Sequence, residues 1–183
     1  MWVRFAKFMY KLLGWKVVGQ WPDEKKFVCI AAPHTSSKDF PIGVWARAIL
    51  GRQVLYVAKK EIFKPPLGWL FMWMGGYPVD RSKRNNFTDA VADIYNSKEE
   101  FAICIAPEGT RKKVDKLKSG YWYIAKGANV PITHVGMDWG NKQVIFDDCY
   151  YPTDIDADMK RALDFFKKIE GCVPELDLRH LDS

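Results

Sequence analysis

Short apolar runs alternate with stretches of helical periodicity along most of the chain. The clearest runs, 27–32 and 101–106, are continuous rather than alternating, which is typical of strands buried on both faces of a sheet. Further strands are predicted at 54–58, 77–80, 130–135 and 144–146, and helices at 44–50, 86–96, 120–126 and 159–169, the last one stopping at Gly171. Strands that alternate with helices indicate an α/β fold, with a central, largely parallel mixed sheet flanked by helices.

Residues 1–16 predict an amphipathic helix. At about 100° per residue, Arg4, Lys7 and Lys11 share one side of this helix. The opposite side carries Trp2, Phe5, Met9, Leu12 and Leu13, and Phe8 and Trp15 flank the cations. This pattern is typical of a helix that lies in a membrane interface, but packing on the protein's own core explains it equally well. We predict a membrane-docking helix within 1–20 and a single globular domain over 21–183.

Composition and charge narrow the class of partner. The chain has 183 residues, enough for one domain with a core of its own. Aromatic residues make up 15%, including 8 Trp, and the net charge is +6. A basic, Trp-rich chain favours an anionic partner, which is a nucleic acid, a phospholipid surface or a phosphorylated substrate. The basic residues are scattered and form no nucleic-acid-binding motif, so we expect no nucleic acid partner.

Cysteines and apolar stretches bear on the location of the protein. Cys29 and Cys104 lie in apolar runs without the spacing of a zinc site, and they are predicted to be buried thiols in a reducing, cytosolic compartment. The longest uncharged stretch, 65–79, has 15 residues and contains Pro and Gly, so we expect no transmembrane span. Cations interrupt the apolar N-terminus, which is unlike a signal peptide.

Three polar clusters follow predicted strands, at the edge where α/β sheets place their sites. The first contains His34 and Asp39. The carboxylate can bond one imidazole nitrogen across the turn, which leaves the other nitrogen free to act as a base. A structural alternative is that His34 caps a turn and Asp39 caps the next helix. Ser36 and Ser37 are expected to cap that helix rather than to act as nucleophiles, because the chain has no G-x-S-x-G motif.

The second and third clusters carry arginines. Arg81 follows a Gly-Gly turn and a short strand, and its guanidinium suits a phosphate. Taken on its own, this cluster is better explained by a surface arginine without a ligand. The third cluster, 107–111, reads Pro-Glu-Gly-Thr-Arg directly after a buried strand. A turn of free N–H groups beside a guanidinium can hold an oxyanion or a phosphate. Because Glu-Gly-Thr-Arg is expected by chance in well under about one chain in a hundred, we interpret this turn as functional.

Together and in this order, the clusters resemble the motifs of the glycerolipid acyltransferase family, which includes the lysophosphatidate acyltransferases and their lysophospholipid relatives. The family's His-x4-Asp motif matches His34 and Asp39, and its Gly-containing strand that ends in Arg matches 76–81. Its Pro-Glu-Gly-Thr-Arg motif matches 107–111, and its Val-Pro-Ile motif matches 130–132. The resemblance extends over residues 27–136, which is most of the chain.

The resemblance implies transfer of a fatty acyl chain from a thioester donor to the free hydroxyl of a lysophospholipid, with 1-acylglycerol-3-phosphate as the expected acceptor. His34, oriented by Asp39, would take the hydroxyl proton as the oxygen attacks the thioester. The substrate-binding residues it implies are Arg81 and Arg111 for the acceptor phosphate, Glu108 and Gly109 for the glycerol region, Thr110 in the same turn, and Pro131 on the donor side. The donor is acyl-CoA or an acyl carrier protein (acyl-ACP), and no bound cofactor or metal is expected.

Two further stretches allow more than one interpretation. The segment 65–74 contains two Trp, a Phe and two Met, and it packs in the core, lines an acyl-chain groove or dips into lipid. Lys112, Lys113, Lys116 and Lys118 form a basic run that is either a solvated face or a site for an acidic carrier protein or coenzyme A phosphates. His134 and His180 are expected to take no part in catalysis.

Two other functions stay open at this point: O-acylation of a non-glycerol lipid such as an aminolipid, and a peripheral membrane-binding module without catalysis. The second explains the N-terminal helix and the Trp content but not three polar clusters at strand ends. An anionic membrane surface is an expected partner in each case. We expect the protein in the cytoplasm, peripheral on the cytoplasmic face of the inner membrane.

Overall fold

A single sheet organises the part of the chain that the structure, a computed structural model, describes, which is residues 1–79 and 87–181. Its strands are β1 (Lys16–Val18), β2 (Lys26–Ala32), β3 (Leu55–Lys59), β4 (Gly76–Val79), β5 (Phe101–Ile105), β6 (Ile132–Asp138) and β7 (Gln143–Phe146). Their spatial order is β1-β7-β6-β2-β5-β3-β4. The strand with the longest continuous apolar run thus lies near the middle of the sheet.

β2 pairs in parallel with β5 on one side and with β6 on the other, and Cys29 lies level with Cys104 of β5. β3 and β4 continue the parallel part beyond β5. β7 is antiparallel to β6, and β1 pairs with β7 at the edge. The predicted α/β fold with a largely parallel mixed sheet is confirmed. β1 was not predicted, because a strand of three residues is too short to show a periodic pattern.

Helices cover both faces of the sheet. They are α1 (Trp2–Leu13), α2 (Asp39–Leu50), α3 (Gly68–Trp73), α4 (Phe87–Ser97), α5 (Gly120–Ala128) and α6 (Ile155–Phe166), with short 3₁₀ helices at Lys60–Phe63 and Pro174–Leu176. α4, α5 and α6 pack on the face that carries Val28 and Ile30 of β2. α1 and α2 pack on the opposite face, over Phe27 and Cys29. Burial on both faces explains why the sequence of β2 is apolar without alternation.

α1 packs on the protein and also leaves apolar side chains exposed. It buries Ala6 and Tyr10, and the Tyr10 hydroxyl donates a hydrogen bond of 2.8 Å to the Ile42 carbonyl of α2. Its exposed large side chains include Trp2, Phe5, Phe8, Leu12 and Leu13. The helix therefore has a packed line and a separate exposed apolar face. Residues 1–20 also contain β1, which belongs to the sheet.

α3 adds further exposed aromatic side chains next to α1. Trp69 and Trp73 are two-thirds exposed, and the ring centroids of Trp73 and Trp2 are 5.9 Å apart. Across the described ranges, every helix is too short or too polar to cross a bilayer. The exposed side chains of α1 and α3 together form what we call the aromatic surface: Trp2, Phe5, Phe8, Leu12, Trp69, Met72 and Trp73.

α6 ends earlier than the sequence predicts. The apolar periodicity extends to Ile169, but the helix stops at Phe166 and Lys167 takes the C-cap position. Ile169 instead donates its N–H to the Phe166 carbonyl in a tight turn and packs closely against Gly136 of β6. The contact with the sheet thus takes Ile169 out of the helix, so the predicted end at Gly171 is wrong by several residues.

Candidate active site

Loops from three neighbouring strands meet at the carboxyl edge of the sheet. β2 leads into His34, β5 leads into Glu108, and β6 leads into Trp139. Since β5, β2 and β6 are adjacent and parallel, their loops leave the same edge of the sheet. The sheet order thereby brings together side chains that are about a hundred residues apart in the sequence.

The imidazole of His34 and the carboxylate of Asp39 form the centre of this site. His34 Nδ1 lies 3.2 Å from Asp39 Oδ2, and the side chain of His34 is 24% exposed, whereas that of Asp39 is fully buried. The contact that the sequence suggests is present. His34 Nε2 faces the more open side, where Arg111 Nε donates to it at 3.3 Å. Because Nε2 accepts a hydrogen bond here, the neutral imidazole carries its proton on Nδ1, towards Asp39.

Both carboxylate oxygens of Asp39 accept hydrogen bonds. Oδ2 accepts the backbone N–H groups of Thr35 and Ser36, each at 2.9 Å. Oδ1 accepts the indole N–H of Trp139 at 2.9 Å. Three N–H donors and the imidazole offset the cost of burying this carboxylate. Both oxygens are therefore fixed in direction.

The prediction that Ser36 and Ser37 cap α2 is wrong. Lys38 occupies the N-cap position, and no side chain makes a capping bond there. Ser36 Oγ instead accepts the N–H of Lys38 inside the turn, at 3.2 Å. The physical reason is that the carboxylate of Asp39 takes up the free N–H groups of the turn, so the hydroxyls are not needed as caps.

Glu108 supports the backbone of His34. Its Oε1 accepts the His34 N–H at 2.7 Å, and the residue is only 2% exposed. Its Oε2 is buried and has no hydrogen-bond partner among the described residues. Burial raises the pKa of Glu108, against the effect of the hydrogen bond from the His34 N–H, which lowers it. The structure thus places a carboxylate that is costly to ionise against the backbone of His34.

The rest of the third cluster forms a turn, which contains Arg111 and is crossed by the side chain of Lys118. Gly109 has a φ of +66°, in the left-handed region that favours glycine. The side chain of Lys118 lies across this turn, since a Cβ on Gly109 would come within 2.4 Å of Lys118 Nζ. Thr110 Oγ1 accepts the N–H of Lys112 and steadies the exposed end of the turn. Arg111 therefore places one positive charge at the imidazole of His34, and Lys118 places a second one over the backbone of Gly109.

A largely apolar cavity of about 440 Å³ adjoins His34. It lies between α2 and the sheet, and its size is in the range of small-molecule pockets, about 300–1,000 Å³. Its apolar lining includes Trp21, Phe71, Val135, Met137, Val144 and Phe146, and its polar lining includes His34, Asp39, Arg47 and Arg111. In α3 the side chain of Phe71 faces the cavity, whereas Trp69 and Trp73 are exposed to solvent.

The two predicted buried thiols face this cavity. Cys29 and Cys104 both line it, and their sulfur atoms are 3.5 Å apart. Cys29 is fully buried, but Cys104 is only half-buried because the cavity opens beside it. Burial and the neighbouring thiol raise the pKa of Cys29, which makes it a poor nucleophile.

One residue from the sequence motifs lies elsewhere, and another is not among the residues that the structure describes. Arg81 is outside the described residues. Pro131 is buried just before β6, and its carbonyl accepts the N–H of Val28, near the amino end of β2. His34 is six residues further along, so about 20 Å separates it from Pro131 at the rise of a strand. The structure does not bring Pro131 to His34, and its role on the donor side stays a prediction.

Comparison with known proteins decides the family. A family model described as Acyltransferase matches residues 16–138, which include both halves of the site around His34 and Arg111. The chain belongs to this acyltransferase family. The resemblance to glycerolipid acyltransferases that the motifs indicate is thereby confirmed.

Two curated relatives carry the same name. The acyltransferase is 33% identical over 142 residues to the 1-acyl-sn-glycerol-3-phosphate acyltransferase of Saccharomyces cerevisiae, a match that covers 72% of this chain and 46% of that protein. It is 30% identical over 105 residues to the protein of that name from Cocos nucifera, a match that covers 54% of this chain and 33% of that one. The matched regions thus span less than half the length of either relative.

A solved structure has the same fold. The crystal structure of the 1-acyl-sn-glycerophosphate (LPA) acyltransferase PlsC from Thermotoga maritima superposes with a TM-score of 0.59 at 20% identity. The match covers 93% of this chain and 80% of that chain. The sheet and its flanking helices are therefore shared with a known acyltransferase structure.

Trp139 and Lys118 are the site residues that the sequence motifs miss. Trp139 lies a hundred positions from its partner Asp39, and no local pattern connects the two. Lys118 is visible in the sequence only as part of a basic run. Its backbone N–H donates to the Pro107 carbonyl at 2.9 Å, which closes the loop and returns the lysine to the start of the motif. Its place in the basic run after the Glu-Gly-Thr-Arg turn is the signal that the sequence offers.

We predict that Glu108→Gln changes the free energy of unfolding, relative to the parent protein, more favourably at about pH 7 than at about pH 4. Because burial raises the pKa of Glu108, the favourable contribution of its protonated form is complete below the unfolded value of about 4.3 and is lost as the pH rises through the folded value. Gln cannot ionise, and its amide oxygen can still accept the His34 N–H. Urea denaturation of both proteins at the two pH values measures this difference, and a difference that does not change with pH contradicts the prediction.

Proposed function

We propose that this acyltransferase moves a fatty acyl chain from a thioester donor to the free hydroxyl of a lysophospholipid, with 1-acylglycerol-3-phosphate as acceptor. The observation that carries the proposal is His34, whose imidazole bonds a buried carboxylate on one side and meets a cation and an apolar cavity on the other. The names of both curated relatives support the choice of acceptor.

The tautomer of His34 suits a general base. Its Nδ1 proton is directed to Asp39, so Nε2 has the free lone pair. In the proposed reaction the acceptor hydroxyl replaces Arg111 at Nε2 and gives up its proton as its oxygen attacks the thioester carbonyl carbon. Asp39 stabilises the imidazolium that forms. When the tetrahedral intermediate breaks its carbon–sulfur bond, the leaving thiolate takes the proton from Nε2, and His34 is neutral again.

We assign the acceptor phosphate to two cations, Arg111 of the third cluster and Lys118 beyond it. Arg111 donates to the imidazole of His34, the side chain of Lys118 lies across the same turn at Gly109, and the glycerol hydroxyl and phosphate of the acceptor are only a few bonds apart. Arg81 is assigned to the same phosphate on the resemblance of its motif. Glu108 and Gly109 keep their assignment to the glycerol region, and Thr110 stays a predicted substrate-binding residue of the same turn. Glu108 acts at least through the His34 backbone.

Replacing Arg111 with Lys is expected to raise the acceptor KM by about tenfold, a loss of about 1.4 kcal/mol in binding, and to lower kcat by less. A point charge replaces the two-pronged guanidinium on a phosphate, so binding suffers more than chemistry. The donor KM should stay the same. Lys25→Met removes an exposed cation at the amino end of β2, away from this turn, and serves as the control. An equal rise in both KM values would assign Arg111 to the donor or to the fold.

The cavity is assigned to an acyl chain. Its lining is mostly apolar, it adjoins His34, and its volume suits a ligand of this size. Arg47 is a polar exception: it is half-buried, its Nη1 donates to the Val54 carbonyl at 2.9 Å, and burial lowers its pKa. The donor is acyl-CoA or acyl-ACP, and the exposed lysines after Arg111 offer either carrier an attractive surface.

The aromatic surface is assigned to the membrane. Its seven large apolar side chains are exposed on neighbouring helices, an arrangement that is rare on a protein that meets only water. α1 also carries Arg4, Lys7 and Lys11, which Phe8 flanks, and these cations complement anionic headgroups. We place this surface on the cytoplasmic face of the inner membrane, where it would bring His34 close to an acceptor held in the bilayer.

A direct assay tests the reaction and its alternatives. The full chain is incubated with acyl-CoA or acyl-ACP and a set of acceptors: 1-acylglycerol-3-phosphate, other lysophospholipids and an aminolipid with a free hydroxyl. Mass spectrometry is expected to detect phosphatidate as the main product. A product from the aminolipid alone would support O-acylation of a non-glycerol lipid. Binding to vesicles without any acylated product would support a membrane-binding module and overturn the proposed reaction.

A further inference from the structure

The chain beyond α6 lies against the active site. Residues 167–181, here called the C-terminal segment, include the 3₁₀ helix Pro174–Leu176 and are fastened to the core by Leu178 and Leu181, which are buried. The segment contacts the loops after β6 and β2, because the Glu170 carbonyl accepts the Trp139 N–H at 2.9 Å and the Val173 N–H donates to Thr35 Oγ1 at 3.0 Å. Neither the segment nor Trp139 belongs to residues 16–138, which the family model matches.

Trp139 is fixed from three directions. Its backbone N–H is bound by the C-terminal segment, and its indole N–H donates to Asp39 Oδ1 at 2.9 Å. Its ring packs edge-on against Trp15, with the ring centroids 5.0 Å apart and the planes at 86°. The direction of the indole N–H is therefore set before it meets the carboxylate.

Thr35 forms a second connection of the same kind. It is 5% exposed, and its N–H donates to Asp39 Oδ2, while its hydroxyl oxygen accepts the N–H of Val173. Gly171 of the C-terminal segment packs so closely on it that a Cβ there would lie 3.0 Å from Thr35 Cγ2. Thr35 thus transmits the position of the segment to the second oxygen of Asp39.

We propose that Trp139 and Thr35 are positioning residues, held by the C-terminal segment, that orient the Asp39 carboxylate towards His34. Oδ1 accepts the indole N–H of Trp139, and Oδ2 accepts a backbone N–H from the turn that Thr35 anchors. These bonds fix one orientation of the carboxylate, in which Oδ2 contacts His34 Nδ1. The proposal rests on the proposed role of His34 as a base. A carboxylate that could rotate would hold the imidazole tautomer less firmly and make the base less effective.

Three variants of the full chain test the proposal. Trp139→Phe keeps a ring against Trp15 and removes the N–H donor, and Thr35→Val removes the acceptor hydroxyl with little change in shape. Each is expected to lower kcat by about 10- to 100-fold, with donor and acceptor KM within about twofold of the parent values. Thr35→Ser restores the acceptor oxygen and should recover most of the parent kcat.

A matched control separates positioning from stability. Trp122 on the other face of the sheet also donates its indole N–H to a buried carboxylate, Asp158 Oδ2, at 2.8 Å. Trp122→Phe should lower the free energy of unfolding but leave kcat unchanged. If Trp122→Phe lowers kcat as much as Trp139→Phe does, the loss is general destabilisation and the proposal is overturned.

A readout without activity distinguishes the two proposals. Long-range ¹H–¹⁵N spectra of His34 are expected to report the Nδ1-protonated tautomer in the parent protein and a mixture of tautomers in Trp139→Phe and Thr35→Val. If both variants keep kcat and tautomer while His34→Ala is inactive, the positioning role is overturned and the proposed function stands. If His34→Ala is fully active, the proposed function fails, and the spectra alone still decide whether Trp139 and Thr35 orient the pair.

Discussion

Replacing His34 with Ala is expected to lower kcat by about 10²- to 10⁴-fold, the range for a lost general base, with little change in the free energy of unfolding. The imidazole is partly exposed, so its loss removes little buried surface, and its Nε2 is the basic atom on the side of the cavity. Asp39→Asn should also lower kcat, since it removes the negative partner of the imidazolium. The measurement is the rate of phosphatidate formation at saturating donor and acceptor.

A second histidine provides the control for this prediction. His134 is fully buried, and its Nδ1 lies 3.0 Å from Asp147 Oδ2, so it is also a His–Asp pair. Its Nε2 meets the Tyr150 hydroxyl at 3.1 Å, and burial lowers its pKa in spite of Asp147. His134→Gln should destabilise the protein without lowering kcat. A folded His34→Ala protein with near-parent activity would falsify the base mechanism.

Replacing Trp69 and Trp73 together with Ser is expected to weaken binding to anionic vesicles by at least about 10²-fold, because each large apolar side chain contributes about 1.5–3 kcal/mol when it leaves water. Arg4, Lys7 and Lys11 changed to Glu should cause a loss of similar size, at about 1 kcal/mol for each cation near the surface. The two losses differ in their dependence on salt. The loss from the cation changes should shrink at high salt, and the loss from the tryptophan changes should persist.

Point changes are preferable to deleting α1, because the helix covers α2 through Ala6 and Tyr10. Tyr123→Ser is the matched control, since Tyr123 is an exposed aromatic residue of α5 on the opposite face of the sheet. Vesicle sedimentation gives the binding, and activity on a short-chain, water-soluble acceptor should survive in every variant. If the Trp69, Trp73 variant sediments as well as the Tyr123 control does, the aromatic surface is not the membrane contact.

Much of the fold was predictable from local patterns. The apolar run of β2 is continuous because both faces of a central parallel strand are buried, and that pattern is visible without a structure. The positions of His34 and Asp39 across one turn are also local, so their contact follows from five residues of chain. Short or marginal elements were less predictable, as β1 and the end of α6 show.

What the sequence by itself determined is therefore the class of fold, most of its elements and the identity of the residues around His34 and Arg111. Only the tertiary structure decided that Trp139 binds Asp39, that Glu108 binds the backbone of His34, and that Lys118 returns to Gly109. It also decided which line of α1 is packed and which face is exposed. The physical reason is that these contacts depend on which strands are neighbours in the sheet and on how the loops between them close. Strand order results from the packing of the whole chain, so it cannot be predicted from the periodicity of any one segment.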